Sequence, residues 1–167
     1  MRLANTVLVY QPDTVVYLSA AQSLLKGEGL VTYTGVPLVE FPPLYPILIA
    51  LALPVYGGPS MEALRLIAIL SSALISGLSL HLALRYLSSF QMRVYAMLLI
   101  LFGVPLWAVI VLGRSEAPFI ALTLLWFLMV ERYLSTPIMR YLILMPLLAL
   151  LCLLTRYVGV ALVVLGG

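Results

Sequence analysis

The sequence predicts an all-α polytopic membrane protein, on three observations. Hydrophobic residues make up 64% of the 167 residues and charged residues 9%, against about 45–50% and about 25% in ordinary soluble domains. A soluble chain of this size could not hide so much apolar surface, because most of a small domain's residues touch its exterior. Apolar runs near the roughly 20 residues that a bilayer demands recur along the chain. The cations stand singly and mostly flank those runs, and none forms the basic stripe of a nucleic-acid-binding protein.

Residues 1–61 read as a first external loop. "MRLANTVLVY" is too short to span a bilayer and lacks the pattern of a secretory signal. Asp13 follows Pro12 and opens a run in which Val16, Ala20 and Leu24, with Ala21 and Leu25, recur at helical spacing. The stop falls at Lys26-Gly27-Glu28-Gly29, where glycine takes the left-handed position. "FPPLYPILIALALPVYGG", residues 41–58, is apolar, but prolines 42, 43, 46 and 54 oppose one straight spanning helix. An interfacial or re-entrant helix is expected there, beginning after Pro46 and breaking at Gly57 and Gly58.

A transmembrane bundle follows over 62–167, with spans at about 62–84, 94–112, 117–133 and 141–167. The chain shows no repeat at a fixed period and no low-complexity tract. Both ends suggest a fragment of a longer domain, since the last span stops inside an apolar run. "RYLSSFQMR" and "ERYLSTPIMR" carry Arg85, Arg93, Arg132 and Arg140 and are expected on the cytoplasmic side. That orientation puts 1–61, the "GRSE" turn and the Thr155-Arg156 region outside.

Asp13, Glu40, Arg114, Glu116 and Arg156 therefore share the external face. Each also has a plain structural explanation. Asp13 could cap a surface helix, and Glu40 could be a solvated acid on a proline-stiffened corner. Arg114 could snorkel, and Glu116 could answer a helix dipole just before Pro118. Arg156 is harder to set aside: it interrupts an apolar run some fifteen residues into a span, and Gly159 nearby would let the backbone bend. A guanidinium at that depth wants an anion, such as a carboxylate, a lipid headgroup or a bound phosphate. His81 reads as a packed or snorkelling residue, Trp126 as mid-span packing, Trp107 as part of an interfacial belt and Cys152 as a small core or lipid-facing residue. Neither a phosphate loop, a Cys/His metal cluster nor a nucleophile elbow is present in the sequence.

The succession "D-x-x-x-Y-L-x-x-A-x-x-L-L-x-G-x-G-L", "E-x-P-P-L-Y-P", "S-E-x-x-F", "T-R-Y-V-G" resembles the N-terminal part of GT-C membrane glycosyltransferases. It is most similar to the family 39 group related to protein O-mannosyltransferases and aminoarabinose transferases. The motifs are short and degenerate, and their order and shared face carry the likeness. The resemblance implies transfer of a sugar from a polyprenyl-phosphate donor to a lipid, glycan or protein acceptor outside the plasma membrane. It matches Asp13 to the catalytic acid that acts on the acceptor hydroxyl, Glu116 to the acid of the second external loop, and Glu40 to an acid that helps hold a divalent metal in some relatives. Arg156, with Arg114, is implied to contact the donor phosphate. The chain departs from the family in lacking a leading span and the later spans, so it is not expected to be a complete catalyst. The competing expectation is a transporter, or a subunit of a transport complex, with Glu116 and Arg156 paired along a substrate path.

Overall fold

A computed structural model of the chain describes residues 12–56, 61–103 and 114–166. The regular elements among the described residues are all helical, with one isolated bridge between Val31 and Pro37 in the loop that follows the first helix. The elements are α1 (Pro12–Leu25), α2 (Leu44–Ala52) with a 3-10 turn (Leu53–Tyr56), α3 (Met61–Tyr86) and α4 (Phe90–Phe102). Then come α5 (Glu116–Ser135), α6 (Met139–Thr155), a second 3-10 turn (Tyr157–Gly159) and α7 (Val160–Gly166).

α1 ends as the sequence predicts. Gly27 adopts φ 80°, the Gly27 amide donates to Leu24 O, and the Glu28 amide donates to Ser23 O. That pair of bonds satisfies carbonyls the helix leaves open, and Ser23 Oγ adds a bond to Glu28 Oε2 at 3.2 Å. The face of α1 that packs inward differs from the one expected. Thr14, Tyr17, Ala20, Ala21 and Ser23 are buried, whereas Val16 is only half-buried and Leu25 is exposed. Tyr17 sets this rotation, because its ring meets Phe41 at 4.9 Å and Tyr45 at 5.0 Å, tilted and edge-on.

α2 starts at Leu44, three residues before the expected beginning after Pro46. A proline in the first helical turn lacks only an amide that has no intrahelical partner anyway. The expected break at Gly57 and Gly58 lies outside the described residues. Tyr45, Ile49, Ala50 and Leu53 join Tyr17 and Ala21 of α1 and Ala63, Leu64 and Ile67 of α3 in one core. The first loop is thus clamped onto the head of α3.

α3 and α5 are long and apolar enough to cross a membrane, and little of either is buried within the chain. They match the first and third expected spans within a few residues. α4 and α6 are shorter apolar helices, and most of the remainder of the second expected span, beyond residue 103, lies outside the described residues, as does Trp107. The expected continuous span at 141–167 is overturned. The chain leaves the helix at Arg156, which is extended at φ −149° and ψ 136°, and turns back on α6. A Cβ on Gly159 would lie 2.5 Å from the backbone of Cys152 and Leu153. On a straight helix those positions would be about 10 Å apart. Leu162 of α7 then packs with Trp126, Ala149 and Cys152, so both Trp126 and Cys152 are core residues. His81 is exposed.

α3 and α5 run side by side in the same direction. At their far end, beside the loops 87–89 and 136–138, Arg85 pairs with Glu131 at 2.7 Å. At the near end lie α1, α2, the start of α5 and the end of α6.

Candidate functional site

The near end holds a cavity of about 390 Å³, within the roughly 300–1,000 Å³ range of small-molecule sites. All five site residues expected from the sequence line it: Asp13, Glu40, Arg114, Glu116 and Arg156. They come from segments separated by up to 143 positions, so tertiary packing gathers them.

Each side chain is placed by a definite local feature. Asp13 is the second residue of α1, inside the first turn rather than at the capping position, and it is exposed toward the cavity. A carboxylate in a first turn is favoured by the helix dipole, so the structural role and the cavity-lining position coexist. Glu40 stands on the extended corner before Pro42 and Pro43. That corner is pinned by the Tyr157 hydroxyl, which donates to Val39 O at 2.8 Å. Glu116 opens α5, and Arg156 sits where α6 gives way to the 3-10 turn.

Arg156 and Glu116 form an ion pair, Nη1 to Oε1 at 2.7 Å, with about a third of each side chain exposed. Arg114 is different: its Nε is buried without a hydrogen-bond partner. A guanidinium nitrogen in that state is costly unless a ligand completes it.

Sequence reasoning missed Tyr17 and Ser115. Ser115 occupies the residue before α5, yet its hydroxyl makes no capping bond and its backbone is already helical at φ −67°. Its Oγ instead meets the Tyr17 hydroxyl at 3.4 Å and accepts from Arg156 Nη1 at 3.4 Å. A serine at a helix start ordinarily caps the helix; here its hydroxyl ties α1 to the arginine. Burial pushes the Tyr17 hydroxyl above the ordinary tyrosine value, the Ser115 bond opposes the shift, Asp13 adds to it, Arg156 draws it down and Glu116 raises it. Tyr17 was legible in principle, since it lies four residues after Asp13 and so on the same helix face. Ser115 stands between Arg114 and Glu116 and opens the S-E-x-x-F pattern, but a serine there reads as an ordinary helix cap.

Among the described residues, no group of three or more His, Cys, Asp or Glu side chains is placed to hold a metal ion beside Glu40. A scan of protein-family models and searches of curated proteins and solved structures give no match to this chain.

Proposed function

We propose that the chain carries the catalytic loop of a glycosyltransferase that takes a sugar from a polyprenyl-phosphate donor at the external face of the plasma membrane. The observation that carries this reading is the buried, unpartnered Nε of Arg114 in a cavity that also holds Asp13 and the Glu116–Arg156 pair. An anion is what completes such a nitrogen, and carboxylates beside it are what an acceptor hydroxyl needs. Long apolar helices with little burial, and exposed leucine, phenylalanine and valine side chains along α3, α4 and α6, support a multi-pass membrane setting with lipid as the covering partner.

In this reading the acceptor oxygen forms a bond to the anomeric carbon of the sugar as the bond from that carbon to the phosphate oxygen breaks. The acceptor proton passes to the Asp13 carboxylate, which sharpens the nucleophile. The charge that grows on the departing phosphate is met by Arg114 and by Arg156, positioned by Ser115. Glu116 keeps Arg156 in place before the donor arrives. The lipid tail stays in the bilayer while the polar acceptor comes from water.

The Glu116–Arg156 pair also suits the second reading, a transport protein. That reading wants the pair within the span, whereas both residues stand at helix ends, so the transferase is preferred.

The test is binding of polyprenyl monophosphate, with the free polyprenol as control, to the chain in lipid nanodiscs. Binding should favour the phosphate and weaken by about ten- to a hundred-fold in Arg114→Gln, the loss of a charge-assisted pair. Asp13→Asn should leave that binding intact and, in a catalytically competent preparation, abolish sugar transfer. Equal binding of the alcohol and the phosphate would remove the basis of the proposal.

A further inference from the structure

A second cavity of about 380 Å³ adjoins the first, and Glu40 lines both. Its wall is the loop between α1 and α2, with Thr32, Tyr33, Thr34, Val36 and Val39 facing it. We propose that this cavity binds a neutral, polyhydroxylated ring, the sugar of a glycan-type acceptor, on the Tyr33 face. Its role as an acceptor site rests on the glycosyl-transfer reading; the binding of the ring does not.

The chemistry of the wall separates it from the first cavity. Arg114 and Arg156 line the first cavity but not the second, where Glu40 is the only acid or base among the described lining residues. A phosphate is therefore repelled, and a hydroxyl donor is welcomed, because a carboxylate only accepts hydrogen bonds and can take two from neighbouring hydroxyls. Tyr33 presents its ring at 69% exposure, an apolar face with a polar tip. A pyranose has the complementary pattern, C–H groups on its faces and hydroxyls at its rim. Val36 and Val39, both well exposed, extend the apolar floor, and the Thr34 hydroxyl, which donates to Thr32 Oγ1, offers a further acceptor.

The loop is built to hold this shape without a ligand. Gly35 at φ 78° closes the turn, and the Gly35 amide donates to Thr32 O. The Thr32 amide and hydroxyl both donate to Val36 O, at 2.9 and 3.1 Å. The Tyr33 amide donates to Ser19 Oγ at 3.2 Å, which docks the loop on α1. A preformed wall avoids the entropy of ordering a loop at the moment of binding. The partition between the cavities is Val39–Glu40, held by Tyr157, so a ring stacked on Tyr33 brings a hydroxyl to Glu40 at the mouth of the site that holds Asp13.

Saturation-transfer NMR on the 167-residue chain in lipid nanodiscs tests this, with methyl α-mannoside, methyl β-glucoside and methyl β-galactoside as probes. At least one glycoside should receive saturation on its ring C–H protons. The signal should fall about ten-fold in Tyr33→Ala and persist in Tyr33→Trp, which keeps the aromatic face. Tyr33 is exposed, so its removal leaves the fold intact, and Arg114→Gln should leave the sugar signal unchanged. Absence of saturation with all three glycosides, persistence in Tyr33→Ala, or loss in Arg114→Gln would each overturn the proposal. Polyprenyl-phosphate binding measured on the same samples separates the two ideas: its failure beside intact glycoside binding removes the donor reading and leaves the ring site standing.

Discussion

At the scale of single residues, the near-end site is organised by hydroxyls as much as by charges. Arg156 carries an ion pair to Glu116 and a bond to Ser115, and Ser115 passes the connection to Tyr17. Tyr17 is 6% exposed, and Tyr45, whose ring it meets edge-on, is fully buried. Burial raises both hydroxyls, and each phenol's neighbourhood adds to the rise at Tyr45, through Tyr17 and then Glu116. The sign of the pH effect follows. A phenol whose folded value lies above its unfolded value near 10 stabilises the fold fully below about pH 10, and that contribution is lost as pH rises through the folded value. Unfolding followed from pH 8 to 12 should show a decline above about pH 10 that flattens when Tyr17→Phe and Tyr45→Phe are combined. An unchanged decline would place its origin elsewhere. Near neutral pH, Tyr17→Phe should cost only about 1 kcal/mol, the net worth of its bond to Ser115.

At the scale of elements, the break after α6 decides where Arg156 stands. The apolar run from Tyr141 onward has the composition of one span, and the sequence predicts it as such. The structure ends the helix at Thr155 and returns α7 onto α6. Gly159 permits this by its size rather than by an unusual φ, since the three left-handed glycines are Gly27, Gly29 and Gly35 among the described residues. Gly159→Ala should destabilise the chain by about 2 kcal/mol or more, because the new methyl meets backbone that has no rotamer to yield. Its unfolding midpoint should fall while Gly77→Ala, open to space on α3, gains slightly in helix propensity. The same variant should loosen the Arg156–Glu116 pair, so that polyprenyl-phosphate binding weakens along with stability.

At the scale of the whole molecule, two poles are distinguished. One carries the cavity, and the other carries the two short loops and the Arg85–Glu131 pair, which joins the ends of α3 and α5. Cysteines at positions 13, 40 and 116 in a Cys152→Ala background should react with an impermeant reagent from outside intact cells, and those at 89 and 136 only after permeabilisation. Reaction of 13 and 116 from opposite sides would contradict the shared cavity itself. The spacing of the five site residues was legible because charge in so apolar a chain is expensive and is therefore confined to few places. Their meeting was legible only through the orientation argument, which sorts residues to a face without bringing them into contact.

Composition and apolar periodicity thus determined, without coordinates, that the chain is helical, that α3 and α5 are span-like, where α1 stops, and which acids and arginines to watch. These follow from local rules: transfer energy per residue, glycine's left-handed freedom, and the cost of charge in an apolar run. Only the tertiary structure decided that α1 buries Tyr17 in place of Val16, that α6 ends at Thr155, and that Ser115 serves Tyr17 and Arg156 instead of capping α5. It also decided which arginine is satisfied and which is left with a buried, unpartnered nitrogen. Those outcomes depend on which surfaces meet across more than a hundred positions of chain, and packing between distant segments leaves no periodic mark on either one.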